Sequence, residues 1–143
     1  MTDIRARVSV LVVNQKTNKF VLIFRHKNNQ DYYSVPGGGI EKGESPEDAV
    51  GREIFEELGC RLKKIQKVSE VKTDTRLDFN YIATTDDYLL LVTGPEKDRL
   101  DSPDNLFRPE WHNQSSFRTD ISIFPESARE LLDIYIKKQY DIR

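Results

Sequence analysis

Residues 38–60 read GGIEKGESPEDAVGREIFEELGC, and this stretch decides the fold. Its second half, 45–58, carries the boundary signals of a helix. Ser45 suits the N-cap and Pro46 the first helical position; Asp48 lies three residues after Ser45, close to a capping-box arrangement, and Gly59 supplies the stop. Val50, Ile54 and Leu58 form an apolar stripe that predicts packing on a sheet. Glu53, Glu56 and Glu57 stand at i, i+3 and i+4, on a neighbouring arc of about 100°.

A solvated acidic face is the plain alternative for such a triplet. Three features weigh against it. Like charges at these spacings repel, by about 0.2–0.5 kcal/mol per pair. No Lys or Arg stands four residues after Glu53 or Glu56, and only Arg61 follows Glu57. The carboxylates also gather at the C-terminal end, where the helix dipole disfavours negative charge. The arrangement makes sense if a divalent cation neutralises it, and clustered carboxylate oxygens suit a hard ion such as Mg²⁺ or Mn²⁺. Gly51 lies mid-helix, where glycine costs about 1 kcal/mol relative to alanine. It predicts close approach of a backbone, or of the glycine loop, at that spot.

Before the helix, Gly37, Gly38 and Gly39 follow Pro36. Glycines let a loop approach another group closely. No Gly-Lys-Ser/Thr follows, so this is not a P-loop. Further out, 8–13 and 20–24 read as a hairpin around the polar turn 14–19, and 32–35 as a short strand ending at Pro36. After the helix, 62–72, 78–84 and 88–93 read as strands, with 85–87 as a turn between the last two. Residues 94–109 read as a long surface loop, 108–112 as a short strand, and 125–140 as a helix with Ala128, Leu131, Leu132, Tyr135 and Ile136 on one stripe. The expected class is a mixed α/β (α+β) fold.

Composition bounds the rest. The 143 residues predict one domain over 1–143. Thirteen Phe and Tyr with one Trp supply core material, which argues against disorder. A formal net charge of −2 gives no broad basic surface for polymeric nucleic acid. Cys60 is the only cysteine, so a reducing, cytoplasmic setting is expected. No signal-peptide pattern is present, and the longest unbroken aliphatic runs are far below the roughly 20 residues of a membrane span.

Gly38, Glu44, Arg52, Glu53, Ile54, Glu56, Glu57 and Gly59, at their spacing within 38–60, resemble the Nudix box of the Nudix (MutT-like) hydrolases. The departure is Cys60 at the final aliphatic position, and free cysteine behaves as a small buried hydrophobe. The resemblance covers the box tightly and the rest of the chain loosely. It implies the Nudix fold, a mixed β-sheet sandwiched between helices, and cleavage of a nucleoside diphosphate linked to another moiety. The implied metal ligands are Glu53, Glu56 and Glu57, for Mg²⁺ with Mn²⁺ as a substitute. Arg52 resembles the orienting arginine and Glu44 the supporting glutamate; both are counted with the catalytic set. Gly38 and Gly39 would let the loop fold over the site.

The general base is left open between a box glutamate and Glu96, Asp98, Asp101 or Glu110. Substrate-binding candidates are Arg5, Arg7, Arg25, Tyr33, Phe79, Tyr81 and Trp111, with Arg25 and Tyr33 set first for their nearness to the loop. The expected substrate is a small nucleotide such as a (deoxy)nucleoside triphosphate. ADP-ribose, a nucleotide sugar or a dinucleoside polyphosphate stand as alternatives, as do a non-catalytic nucleotide sensor and an RNA 5′-end hydrolase. No membrane partner is expected, and a homodimer is left open.

Overall fold

The computed structural model describes residues 4–94, 104–116 and 120–138. Eight strands and two helices follow in the order β1 (Arg5–Asn14), β2 (Lys19–Lys27), β3 (Gln30–Ser34), β4 (Gly37–Gly39), α1 (Pro46–Leu58), β5 (Lys64–Lys72), β6 (Arg76–Thr84), β7 (Asn105–His112), β8 (Ser122–Ile123) and α2 (Glu126–Lys138). They build one mixed, curled sheet in the order β5-β6-β1-β2-β3-β8, with β4 added to β1 and β7 to β2. The central pair, β1 and β6, is parallel, from Arg5 opposite Arg76 to Val13 opposite Thr84.

The alternation of β1 and β6 sorts the core into two layers. Val8, Val10, Val12, Tyr81 and Ala83 point to one face and bury Val50, Ile54 and Leu58 of α1. Leu11, Val13 and Ile82 point to the other and bury Ala128, Leu131 and Leu132 of α2. The two helices thus cover opposite faces, as the resemblance implies. Ser45 Oγ accepts from the Asp48 amide, and Gly59 closes α1 in the left-handed region at φ 68°. Cys60 is buried, and burial raises its thiol to about 11.

Four segments differ from the sequence reading. Residues 88–93 join no strand: the Leu91 and Thr93 amides donate to Leu58 O and Glu56 O (2.7 and 2.6 Å) at the end of α1. The donors that would build a ladder instead satisfy last-turn carbonyls of the helix. Residues 85–87 accordingly make no hairpin; Thr85 and Asp87 tie the chain to Arg61. The expected loop 94–109 is already strand from Asn105, because β7 pairs along β2 through Lys27. The glycine triplet, read as loop, is itself a strand on β1. Gly51 meets nothing: a Cβ there would point into open space, so the loop does not pack against it. No described helix is long and apolar enough to cross a membrane.

Candidate functional site

The glycine strand and α1 meet along one edge. β4 pairs with β1 through Gly37–Ser9, Gly38–Val8 and Gly39–Arg7. The contact is close: a Cβ on Gly37 would lie 2.1 Å from Val8 O, and one on Gly38 would lie 2.4 Å from Glu53 Oε1. The two glycines therefore do different things. Gly37 lets two backbones pair, and Gly38 leaves room for a carboxylate.

Arg52 organises the cluster. Its Nε and Nη2 donate to both oxygens of Glu44 (2.8 and 2.9 Å), Nη2 also to Gly39 O (3.0 Å), and Nη1 to Glu53 Oε1 (3.0 Å). The same Nη1 lies 3.5 Å from Glu56 and 3.7 Å from Glu41. A planar guanidinium can serve several carboxylates in this way where a lysine ammonium cannot. The pair with Arg52 holds the Glu44 carboxyl down to about 2. Glu44 in turn accepts from the Glu41 amide (3.0 Å), fixing the turn before α1.

Glu53 is under the opposite influence. Burial raises its pKa, against the opposing pull of Arg52. Its side chain is 13% exposed and that of Glu56 30%. Glu57 is buried, and its Oε2 accepts from the Gly37 amide at 2.8 Å. The C-terminal end of α1 is clamped by Gly94, whose amide donates to Glu56 O and whose missing Cβ would stand 2.5 Å from Glu56 Cβ.

The structure thus brings Glu44, Arg52, Glu53, Glu56, Glu57, Gly38 and Gly39 together. The donor set is all carboxylate, which fits a hard divalent cation. As placed, no three described His, Cys, Asp or Glu side chains converge on one point, since Arg52 spans Glu53 and Glu56 while Glu57 turns to Gly37.

Other candidates lie apart. Arg25 donates to Leu106 O and Asn105 Oδ1 (2.9 and 2.8 Å) and sits over the Phe107 ring. Tyr33 is buried in the α2-side core, edge-on to Phe24 and His112. Tyr81 is buried under α1 and bonded to Glu47. Phe79 is partly buried in that layer, as is Trp111, which donates to Tyr88 O (2.8 Å). Of the base candidates, Glu110 bonds His112 (3.0 Å), and Glu96, Asp98 and Asp101 lie outside the described residues. The sequence reading missed Gly37 and Glu41. Gly37 was in view within the triplet, but its amide, which holds Glu57, matters as well as its missing side chain.

Known proteins resemble the chain in sequence and in fold. A diphosphoinositol polyphosphate phosphohydrolase 2 of Rattus norvegicus is 29% identical over 107 residues, 75% of this chain and 57% of that protein. An RNA pyrophosphohydrolase of Pectobacterium atrosepticum is 32% identical over 68 residues, 48% of this chain and 37% of that one. The chain therefore spans less than two thirds of the length of these curated relatives. Among solved structures, a NUDIX hydrolase from Nitrosomonas europaea superposes with a TM-score of 0.75 at 15% identity, over 97% of this chain and 73% of that one. A MutT from work on Aliivibrio salmonicida and Vibrio cholerae gives 0.70 at 20% identity, over 95% and 98%. The model of the NUDIX domain family matches residues 3–131, and the chain belongs to that family.

Proposed function

We propose that the chain, acting as one domain, hydrolyses the diphosphate linkage of a nucleoside diphosphate joined to another moiety, with Mg²⁺ as the cation. A small nucleotide such as a (deoxy)nucleoside triphosphate is the expected substrate. The observation that carries the reading is the Arg52 network. One guanidinium gathers Glu44, Glu53 and Glu56 beside a glycine strand, while Glu57 is anchored on that strand.

Glu53, Glu56 and Glu57 are the residues that would hold the cation. When bound, it would neutralise the diphosphate and lower the pKa of a coordinated water. Arg52 holds Glu53 and Glu56 in place, and Glu44 holds Arg52. The dense negative charge of the cluster rejects a bare diphosphate, so the chain itself imposes cation dependence. Gly38 and Gly39 leave the edge of the sheet open to close approach. Arg25 and Tyr33 are each engaged elsewhere, so neither enters the proposed site.

The test is phosphate release, coupled to a phosphatase, across a panel of compounds. The panel holds canonical and oxidised (deoxy)nucleoside triphosphates, ADP-ribose, nucleotide sugars, dinucleoside polyphosphates and a 5′-triphosphorylated oligoribonucleotide. Each is run with Mg²⁺, Mn²⁺ and EDTA, beside Glu57→Gln. Turnover that needs the cation and collapses in the variant is the expected result. Nucleotide binding in both proteins with no turnover on any compound would replace this reading with that of a sensor.

A further inference from the structure

The face of β1 and β6 that packs on α2 has two halves. Leu11, Val13 and Ile82 lie under the helix. Toward the start of both strands the same face changes character. In register it carries Arg5 opposite Arg76, Arg7 opposite Asp78 and Ser9 opposite Asn80. β5 extends it with Ser69 opposite Asn80 and Val71 opposite Asp78.

This half-face is unbalanced. Two arginines stand directly across the ladder from one another, an arrangement that destabilises a sheet. Asp78 is the one acid among these positions, and it is taken by Arg76 Nη2 (3.3 Å). Neither the Arg5 nor the Arg7 guanidinium has a hydrogen-bond or ion-pair partner among the described residues. Two further atoms are buried without a partner, Arg76 Nε and Asn80 Oδ1. Asn80 itself is 2% exposed, with its amide nitrogen held by Ser69 Oγ at 3.1 Å. A buried acceptor left unpaired costs about 1–3 kcal/mol. Three guanidiniums, one bound acid and an orphaned acceptor make a surface that fits an anion with a hydroxyl beside it. None of the eight face positions carries a ring on which a nucleobase would stack.

The patch adjoins the carboxylate cluster. Arg7 is paired with Gly39, whose carbonyl receives Arg52. The strand Gly37–Gly39 is therefore the element that the arginine face and the Arg52 cluster share.

We propose that Arg5, Arg7 and Arg76 hold a phosphate group that the substrate carries away from its scissile diphosphate, with Asn80 at the floor as acceptor for a hydroxyl. This rests on the hydrolase reading for the position of the diphosphate. It replaces the nucleoside triphosphate of that reading with organic diphosphates that bear a further, remote phosphate.

The test uses ligand pairs that differ in that remote group: NADPH against NADH, coenzyme A against dephospho-coenzyme A, and guanosine 3′,5′-bisdiphosphate against GDP. Binding is measured by calorimetry in Mg²⁺ with the Glu57→Gln protein, in which turnover is suppressed, and again with Arg5→Gln or Arg7→Gln added. Arg5 is exposed, so its replacement leaves folding intact. The expected result is at least a tenfold preference for the remotely phosphorylated member of one pair, falling below threefold when either arginine is replaced. No preference in any pair, or a preference that both variants retain, overturns the proposal. Turnover is scored separately on the native protein. Preference without turnover would discard the hydrolase reading and keep the anion site; turnover without preference would do the reverse.

Discussion

A Cβ on Gly38 would stand 2.4 Å from Glu53 Oε1, so strand and carboxylate share space that only a hydrogen at Gly38 leaves free. The atoms in the way are the far end of a flexible side chain, and Glu53 can swing aside. Gly38→Ala therefore keeps the fold but displaces the carboxylate from its bond with Arg52. The expected loss is about 10–100-fold in Mg²⁺ affinity or activity, the usual range for a group that supports a metal ligand. Unfolding in urea should stay close to the parent. An equal loss of stability and activity would show that Gly38 serves the strand and not the site.

Gly37→Ala should do the reverse. Its Cβ would meet backbone, 2.1 Å from Val8 O and 3.1 Å from Ser9 Cα, and backbone in the centre of the sheet has no room to move. Overpacking of this kind costs about 1–3 kcal/mol. The amide that holds Glu57 moves with the strand, so activity falls along with stability. Urea melts of the two alanine variants side by side decide the matter: a Gly37→Ala protein as stable as Gly38→Ala contradicts the register.

Much of this was legible beforehand because it is local. Ser45, Pro46 and Gly59 mark α1 by chemistry that acts within four residues, and Val50, Ile54 and Leu58 share a face by the helical period alone. The acidic edge followed from the same period. What stayed hidden depended on distant partners. Residues 88–93 have strand composition, yet their amides turn to the end of α1. Tyr33 and Gly37 lie near each other in sequence, but strand alternation and pairing send one into the α2-side core and the other to Glu57. The arginine pair across β1 and β6 could not be seen without the parallel register.

The Glu44–Arg52 pair should show in the pH dependence of stability. The carboxyl is held at about 2 against a reference of 4.5, so the folded state favours its ionised form. The stabilisation is present in full above the unfolded value and is lost as pH falls through the folded one. In EDTA, the melting temperature of the parent should exceed that of Glu44→Gln by a constant margin above about pH 5.5. That margin should narrow below the reference value and close toward the folded one. A gap that persists at the acid end would mean that Glu44 acts through shape rather than charge.

Cation binding should invert the order of stability between the parent and Glu53→Gln. Burial raises the Glu53 pKa, so the ionised carboxylate that exists at neutral pH is a net cost to the folded protein. That cost is absent below the unfolded pKa and grows as pH rises through the folded one. In EDTA at pH 7, Glu53→Gln should therefore melt at or above the parent. Mg²⁺ should reverse this if, as proposed, it binds the folded state alone. At a hundredfold excess over its Kd it stabilises the parent by about 2.7 kcal/mol, a rise on the order of 5–10 °C for a chain of this size. The variant, with one carboxylate fewer, should gain little. Thermal melts of both proteins with and without Mg²⁺ read the crossing directly. Parallel shifts in the two would place the cation elsewhere on the protein and remove Glu53 from its ligands.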